Sequence, residues 1–435
     1  MPAITSASLL KQSYGSVLNY SENTNNPVSK LFKYATKEME GGTWGGSEHL
    51  EAILLTQGQG GVVTRERGRL PDATPPVAGT LRMTPKKWTY SMEMSPEDID
   101  DTKNPSKAFV SIMSLNMKNA MGNYAAECSR MIHGNGSGFI CQATAALGIG
   151  GTALTVKNAY ADVNPVGGAR NLRRGMILAV VDAGNTTLLG NVQIDSVPKT
   201  VNGTNVTLIP TTFAIPIDAI FYRSPSLSTT NILDISKDNE PTGLKRIVND
   251  DVGFADYFTL NRVVNPEICS TVFLGVGALS GDIFQRAFST MQGLGTESSL
   301  DYATTKVCVE PSVARAIAAI TTANQRFTMD YIKNPDPLSN LAGGRQNITI
   351  GGFEVLPDRC APYGTVVILN TKGLKKIGRS GTWRDETGDI FVRGEDRKDT
   401  LIADWQIRVQ YYHVDPKTCV RMEGAAVSQV YIPSF

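Results

Sequence analysis

Apolar residues are sparse and isolated over roughly the first sixty positions of the chain. Ser13 to Ser29 is polar and rich in Asn and Ser, and two glycine breaks follow. These are Gly41-Gly42-Thr43-Trp44-Gly45-Gly46 and Gln57-Gly58-Gln59-Gly60-Gly61, with a short alternating segment, His49 to Leu55, between them. Such a stretch has too little apolar surface to offset the entropy of ordering it alone. It reads as an arm. Gly61 to Met94 then reads as two β-segments around an irregular tip. The outgoing strand is Gly61 to Arg67 and the returning one Arg82 to Met94. In the latter Trp88, Tyr90, Met92 and Met94 alternate with Lys87, Thr89, Ser91 and Glu93, the period of a strand. The tip, Leu70 to Gly79, holds three prolines and cannot continue a ladder. An isolated two-stranded ribbon is marginal in water. Arm and ribbon together are therefore expected to lie on something else, such as a neighbouring copy of the chain.

Asn104-Pro105 opens the clearest helical pattern, with Asn at the N-cap and Pro at the first helical position. Apolar residues recur at helical spacing from Phe109 and Ile112 through Met117, Met121, Tyr124 and Cys128 to Ile132, and Gly134 supplies a stop. The spacing predicts a helix over 105–133, about 43 Å long at 1.5 Å per residue.

The period changes after that. Five short runs suit strands: Thr152 to Val156, Met176 to Val181, Val192 to Val197, Val206 to Ile209 and Ala219 to Tyr222. Turn signals separate them, including Asn202-Gly203, and the run predicts a small β-barrel inserted after the long helix. From Asn231 onward helical stretches, Ser280 to Met291 and Ser312 to Thr321, mix with strands at Lys306 to Val309, Phe353 to Leu356 and Val366 to Leu369. That mixture predicts an α+β or α/β unit. Trp405 to His413 and Cys419 to Met422 read as paired strands closing the chain. No internal repeat or low-complexity tract is present.

Composition narrows the function classes. The 435 residues carry 42 Lys and Arg against 41 Asp and Glu, without the basic excess of a dedicated nucleic-acid binder. The six cysteines are single and scattered, with no CxxC pair, which argues for reduced thiols and against a disulfide framework or zinc site. No apolar run reaches membrane-spanning length, and Met-Pro-Ala-Ile-Thr-Ser does not open like a signal peptide. The expectation is a chain made and used in a cytoplasm. Arg379 to Asp399 is unusually charged, with five basic and six acidic residues in mixed order.

Candidate chemistry is thin. His49, His133 and His413 each stand alone in sequence, and no HExxH or GxSxG motif occurs. Gly275 to Gly281 has Ser280 where a dinucleotide loop needs its third glycine, so a turn before a helix is the better reading. Gly134-Asn-Gly-Ser-Gly138 lacks the Lys-Ser/Thr of a phosphate loop and reads as a helix stop. Asp98, Asp100 and Asp101 read as favourable charge ahead of a helix N-terminus. No catalytic, cofactor-binding or metal-binding residues are assigned, no cofactor is expected, and the chain is not expected to be an enzyme.

Taken in order, these elements resemble the tailed-bacteriophage major capsid proteins of the Hong Kong 97-type fold, in the branch with a β-barrel-like insertion. Particular stretches also resemble that family: Thr84 to Asp100, Asn171-Leu-Arg-Arg-Gly-Met-Ile177, Ile217 to Tyr222, Glu240-Pro-Thr-Gly-Leu244 with Asp250-Asp251, and Gly351 to Val355. The resemblance implies an α+β chain with an N-arm (1–56), an E-loop (57–96) and a peripheral domain with its spine helix (97–142). It further implies an inserted barrel (143–226), an axial domain (227–375), peripheral strands and loop (376–412), and a strand returning to the axial domain (413–435). The implied function is self-assembly into pentamers and hexamers of an icosahedral head enclosing double-stranded DNA without sequence-specific binding. Portal, scaffolding and decoration proteins are the implied partners, the virion the implied location, and the host cytoplasm the place of assembly; no membrane is involved. Because the arm begins almost at Met1, a separate scaffolding protein or none is expected. The ribbon lysines Lys86 and Lys87 lie where some relatives cross-link, but no matching asparagine and acid are identified.

The residues expected at contacts between copies are Arg65, Arg67, Arg69, Trp88 and Tyr90 in the ribbon. In the charged segment they are Arg384, Asp385, Glu386, Arg393, Glu395, Asp396 and Arg397. Two other readings stay open: an encapsulin-like compartment shell, and an enzyme of unrecognised type centred on residues 231–375.

Overall fold

The structure is a computed structural model. It describes residues 27–40, 46–56, 75–94, 123–124, 126–158, 167–198, 204–294, 301–325, 348–383, 392–393 and 401–426. Three hydrophobic cores organise them. The first lies under a sheet whose central strand, Leu401–His413, pairs antiparallel with Leu374–Trp383 on one side and Lys86–Met94 on the other. Alternation explains the strand. Ala403, Trp405, Ile407, Val409 and Tyr411 face the core, while Gln406 and Arg408 lie on the other face. Where the sheet bulges between Arg379 and Thr382, Gly378 (φ +131°) approaches the Arg408 carbonyl so closely that a Cβ would sit 2.0 Å from its oxygen.

The second core fills a closed six-stranded barrel. Its strands are Cys141–Ala143, Ala153–Asn158, Ile177–Val181, Leu188–Ser196, Asn205–Leu208 and Ile220–Arg223, all paired antiparallel. Leu154, Val156, Leu178, Val180, Val192, Ile194, Val206 and Leu208 point into it. Two strands carry unbroken apolar runs because their outer faces are covered as well. Ala179, Val181, Ile220 and Tyr222 pack against Ile235 outside the barrel. The sequence pattern finds five of the six strands. Cys141–Ala143 escapes it because three residues are too few to display a period.

The third core lies between a six-stranded mixed sheet and the helices Gly281–Leu294 and Pro311–Gln325. Its strand Val366–Asn370 reads as a continuous hydrophobic run since both faces are buried. Val366 and Ile368 meet the helices, whereas Val367 and Leu369 meet the first core. The α+β expectation holds. The two closing strands differ from it: they do not pair with each other. Leu401–His413 belongs to the first sheet, and Val420–Met422 inserts between Thr271–Phe273 and Val366–Asn370 of the second. The turn at Pro416–Thr418 redirects the chain before a hairpin can form.

The returning ribbon also differs. Arg82 to Met94 is not one strand but the parts of two, Val77–Met83 and Lys86–Met94, separated at Thr84-Pro85. Pro85 has no N–H to donate, and each side of the break finds its own partner. Lys86–Met94 joins the central strand, whereas Val77–Met83 pairs with His49–Thr56 in a separate hairpin. The described part of the arm packs at home, too. Val28, Phe32 and Met39 are buried in the first core, and Lys33–Tyr34 pairs with the start of Leu374–Trp383. The expectation that arm and ribbon must find their apolar partners on another copy is thus corrected for Val28, Phe32, Met39, Leu81, Met83, Trp88 and Tyr90. The outgoing segment Gly61 to Arg67, Pro71 and most of the predicted helix 105–133 lie outside the described residues; Pro75 and Pro76 are exposed just ahead of strand Val77–Met83, which takes in Val77 to Gly79 of the predicted tip. Helix is present at 126–133 and stops at Gly134, whose N–H donates to the Met131 carbonyl.

Candidate functional site

The hairpin His49–Thr56/Val77–Met83 has two dissimilar faces. Ile53, Leu81 and Met83 are buried against the first core. Glu51, on the same inward face, accepts hydrogen bonds from Lys375 Nζ (2.7 Å) and the Tyr412 hydroxyl (3.2 Å) and lies 3.1 Å from His49 Nε2. Burial favours the neutral acid, yet these partners outweigh it and hold the Glu51 carboxyl below the usual range. The hairpin is therefore clipped to its own sheet by a half-buried charge.

Its outward face mixes apolar and polar residues: Thr80, opposite Ala52, and Arg82, opposite Leu50 and 3.4 Å from Glu48, are exposed on it. Leu50 is 58% exposed and Leu54 55%, with Ala52, Val77 and Ala78 exposed beside them. The two strands pair only with each other among the described residues. Thr259 covers part of one edge, accepting from Arg82 N–H and donating to the Thr80 carbonyl. Exposed leucines beside an open strand edge form a surface that soluble chains ordinarily cover with a partner. The sequence pattern signals it: His49 to Leu55 places Leu50 and Leu54 on one face and Ile53 and Leu55 on the other. Leu50 and Leu54 were not among the residues predicted at contacts.

Trp88 and Tyr90 were. They turn inward in their own chain: Trp88 packs 5.1 Å from the Tyr124 ring and 5.8 Å from Trp405, and Tyr90 stacks on Trp88 at 6.1 Å. Both remain half-buried. Arg393 lies in the short strand Val392–Arg393, opposite Leu401. Arg65, Arg67, Arg69, Arg384, Asp385, Glu386, Glu395, Asp396 and Arg397 lie outside the described residues, as do Asp98, Asp100 and Asp101. Of the ribbon lysines, Lys86 donates to the Asp238 carbonyl at 3.0 Å.

A buried charged junction lies where the end of the 126–133 helix, the barrel entry and the loop after Phe353–Pro357 converge. Arg130 donates from Nε to Glu127 (3.0 Å) and from both terminal nitrogens to Glu240, one of these bonds at 3.0 Å. Arg223 approaches the other Glu127 oxygen at 3.5 Å. Burial raises the Glu127 pKa, but Arg223 and Arg130 more than reverse that and it ends below the usual range. Glu240 is held by Arg130, and burial outweighs that contact and pushes its pKa up. Nothing in the sequence links Glu240 to Arg130, 110 positions earlier; only the Glu127/Arg130 spacing on one helix face is visible there.

The histidines are occupied by structure. His133 Nε2 lies 2.9 Å from Asp358 Oδ2, deep in the same junction. Burial works against the Asp358 carboxylate, but His133, the Cys360 N–H and Arg170 together hold its pKa below the usual range. His413 Nε2 donates to the Asn370 carbonyl (2.8 Å), and its Nδ1 accepts from Asp415 N–H (3.0 Å). That pairing fits one neutral tautomer, and burial lowers the pKa to about 4. Ser312 hydrogen-bonds Glu310 and no histidine. None of the six cysteines is in a disulfide, and four of them are buried. Among the described residues no three His, Cys, Asp or Glu are grouped to hold a metal, and no helix is long and apolar enough to cross a membrane.

No family model matches the chain, and no curated protein matches it. Solved structures with a similar chain path include capsids and an encapsulin. The cyanophage A-1(L) capsid asymmetric unit shares 9% identity, covering 87% of this chain and 88% of its own, with a TM-score of 0.49. The capsid of an empty GTA particle, computed with C5 symmetry, shares 10% over 93% of this chain and 91% of its own, TM-score 0.45. The SrpI encapsulin of Synechococcus elongatus PCC 7942 shares 9% over 95% and 92%, TM-score 0.42. These figures describe likeness of path alone; no residue's role passes from those proteins to this chain.

Proposed function

We propose that this chain is a structural shell subunit, a major capsid protein that assembles into pentamers and hexamers of a closed head around double-stranded DNA. The observation that carries the reading is the hairpin His49–Thr56/Val77–Met83. It is anchored on its inner side by Ile53, Leu81, Met83 and Glu51 and presents Leu50, Ala52, Leu54 and Ala78 outward. A head-to-tail contact made by such a projecting surface is heterologous, and heterologous contacts close into rings when the rotation permits. The order of elements in the sequence, which resembles the tailed-phage capsid family, points the same way. A near-neutral net charge of +1 suits a wall that encloses DNA without gripping it.

On this reading residues 143–226 are an insertion beside the shell-forming domains, and Arg384 to Arg397 form exposed ion pairs between rings. Each such pair contributes about 0–1 kcal/mol and mainly fixes register. Electron microscopy of the purified chain over a concentration series tests the proposal, with nuclease protection reporting what the particles hold. Rings or closed shells are expected. A chain that stays monomeric at high concentration overturns the reading. Shells that enclose a second protein and protect no nucleic acid when recovered from cells would move it to a compartment shell of the encapsulin kind.

A further inference from the structure

Residues 143–156 and 204–217 contain no Asp, Glu, Lys, Arg or His, although Asp, Glu, Lys and Arg make up 19% of the chain. The two stretches meet at one end of the inserted barrel. Leu208 N–H donates to the Thr152 carbonyl, Gly150 N–H donates to the Thr211 carbonyl, and Leu147 and Ile215 exchange both backbone bonds. Phe213 and Ile215 take the inward positions and pack with the barrel core. What stays outside is apolar. Ile149 is 74% exposed, Ile217 56% and Ile209 46%, with Ala145, Pro210 and Pro216 exposed beside them.

The loop at this end holds Ile149 away from the barrel. Gly150 adopts φ +78°, and a Cβ added there would meet nothing, so the turn stands in open space. With the exposed alanines and threonines of the same two stretches, the patch offers on the order of 600 Å² per copy. A pair of such patches would bury about 1,200 Å², the lower end for a specific contact. The charges on the flanking strands and turns are paired within the chain, Lys157 with Asp218 at 2.8 Å and Arg174 with Asp195 at 3.9 Å. An exposed apolar patch with a polar rim marks a contact with another molecule.

We propose that this end of the barrel docks against the same end of a second copy, as a two-fold pair. A contact across a two-fold axis uses the same patch on both sides, so a charge in it is brought towards its like. A charge-free apolar patch escapes that penalty and is its own complement. The inference rests on the shell reading only in needing a second copy of the chain. The hairpin contact is head-to-tail and this one is isologous, so each can fail while the other holds.

Sedimentation velocity of the full chain carrying Leu50→Ser and Leu54→Ser, which weaken the hairpin contact, isolates the pair. A dimer that dissociates on dilution is expected. Ile149→Lys in that chain sets like charges together across the axis and should weaken the dimer roughly hundredfold or more. Ile149→Asp should do the same. An equimolar mixture of the Lys and Asp chains should recover most of the loss, because only contact of the patch with itself brings the opposite charges together. Both variants should keep the circular dichroism of the parent, since Ile149 lies outside the barrel core. Absence of a dimer, an Ile149→Lys chain that pairs like its parent, or a mixture no tighter than either variant alone overturns the proposal. With the hairpin intact, rings and shells that assemble equally well with Ile149→Lys overturn this inference and leave the shell reading standing. Dimers sensitive to Ile149→Lys that never form rings do the reverse.

Discussion

Replacing Leu50 and Leu54 together by serine separates the two faces of the hairpin. Fully burying a leucine side chain is worth about 1.5–3 kcal/mol. Leu50 still exposes 58% and Leu54 55% within the single chain. Covering that remainder against a neighbour is therefore worth about 1–1.5 kcal/mol per residue, about 2–3 kcal/mol for each contact. At 1.4 kcal/mol per tenfold, the double variant should need a roughly 30- to 150-fold higher concentration to assemble. Sedimentation velocity over a dilution series reads this directly. The isolated protomer should stay folded, because Ile53, Leu81, Met83 and the Glu51–Lys375 contact on the inner face are untouched. Circular dichroism melts of dilute protein check that point. An unchanged assembly threshold, with the fold intact, would refute the assignment of this face to subunit contact.

Three further outcomes concern the protomer itself. Arg130→Met leaves Glu127 and Glu240 buried without their shared cation and should cost about 3–5 kcal/mol in urea unfolding. Adding Glu240→Met should recover part of that loss. His413 protonates near 6.5 when unfolded but only at about 4 when folded, so its contribution is intact above pH 6.5 and is lost as pH falls towards 4. The full span is roughly 3 kcal/mol, and urea melts of His413→Gln should show a flatter slope through that window. Gly378→Ala meets both a positive φ and the Arg408 carbonyl, and thermal melts should report a loss of about 2 kcal/mol or more.

Periodicity along the chain determined most of the elements. Short apolar runs placed strands at Thr305–Val309, Phe353–Pro357 and Val366–Asn370, and helical spacing placed Gly281–Leu294 and Pro311–Gln325. Such patterns are local, written by which side of each backbone segment faces away from water. They also announced a barrel, since short strands separated by turns have few other ways to close. Tertiary structure alone decided what covers each apolar face. Trp88 and Tyr90 alternate as an exposed ribbon would, yet Trp88 packs on Trp405 and Tyr90 on Trp88 because Pro85 frees their strand to join the central sheet. Leu50 and Leu54 look no different in sequence, but Ile53 on the opposite face takes the core and leaves them outside. The junction was less legible still, because Glu240 and Asp358 meet Arg130 and His133 across more than a hundred residues. A strand or helix pattern says which face is greasy or charged; only the packed chain supplies the surface that meets it.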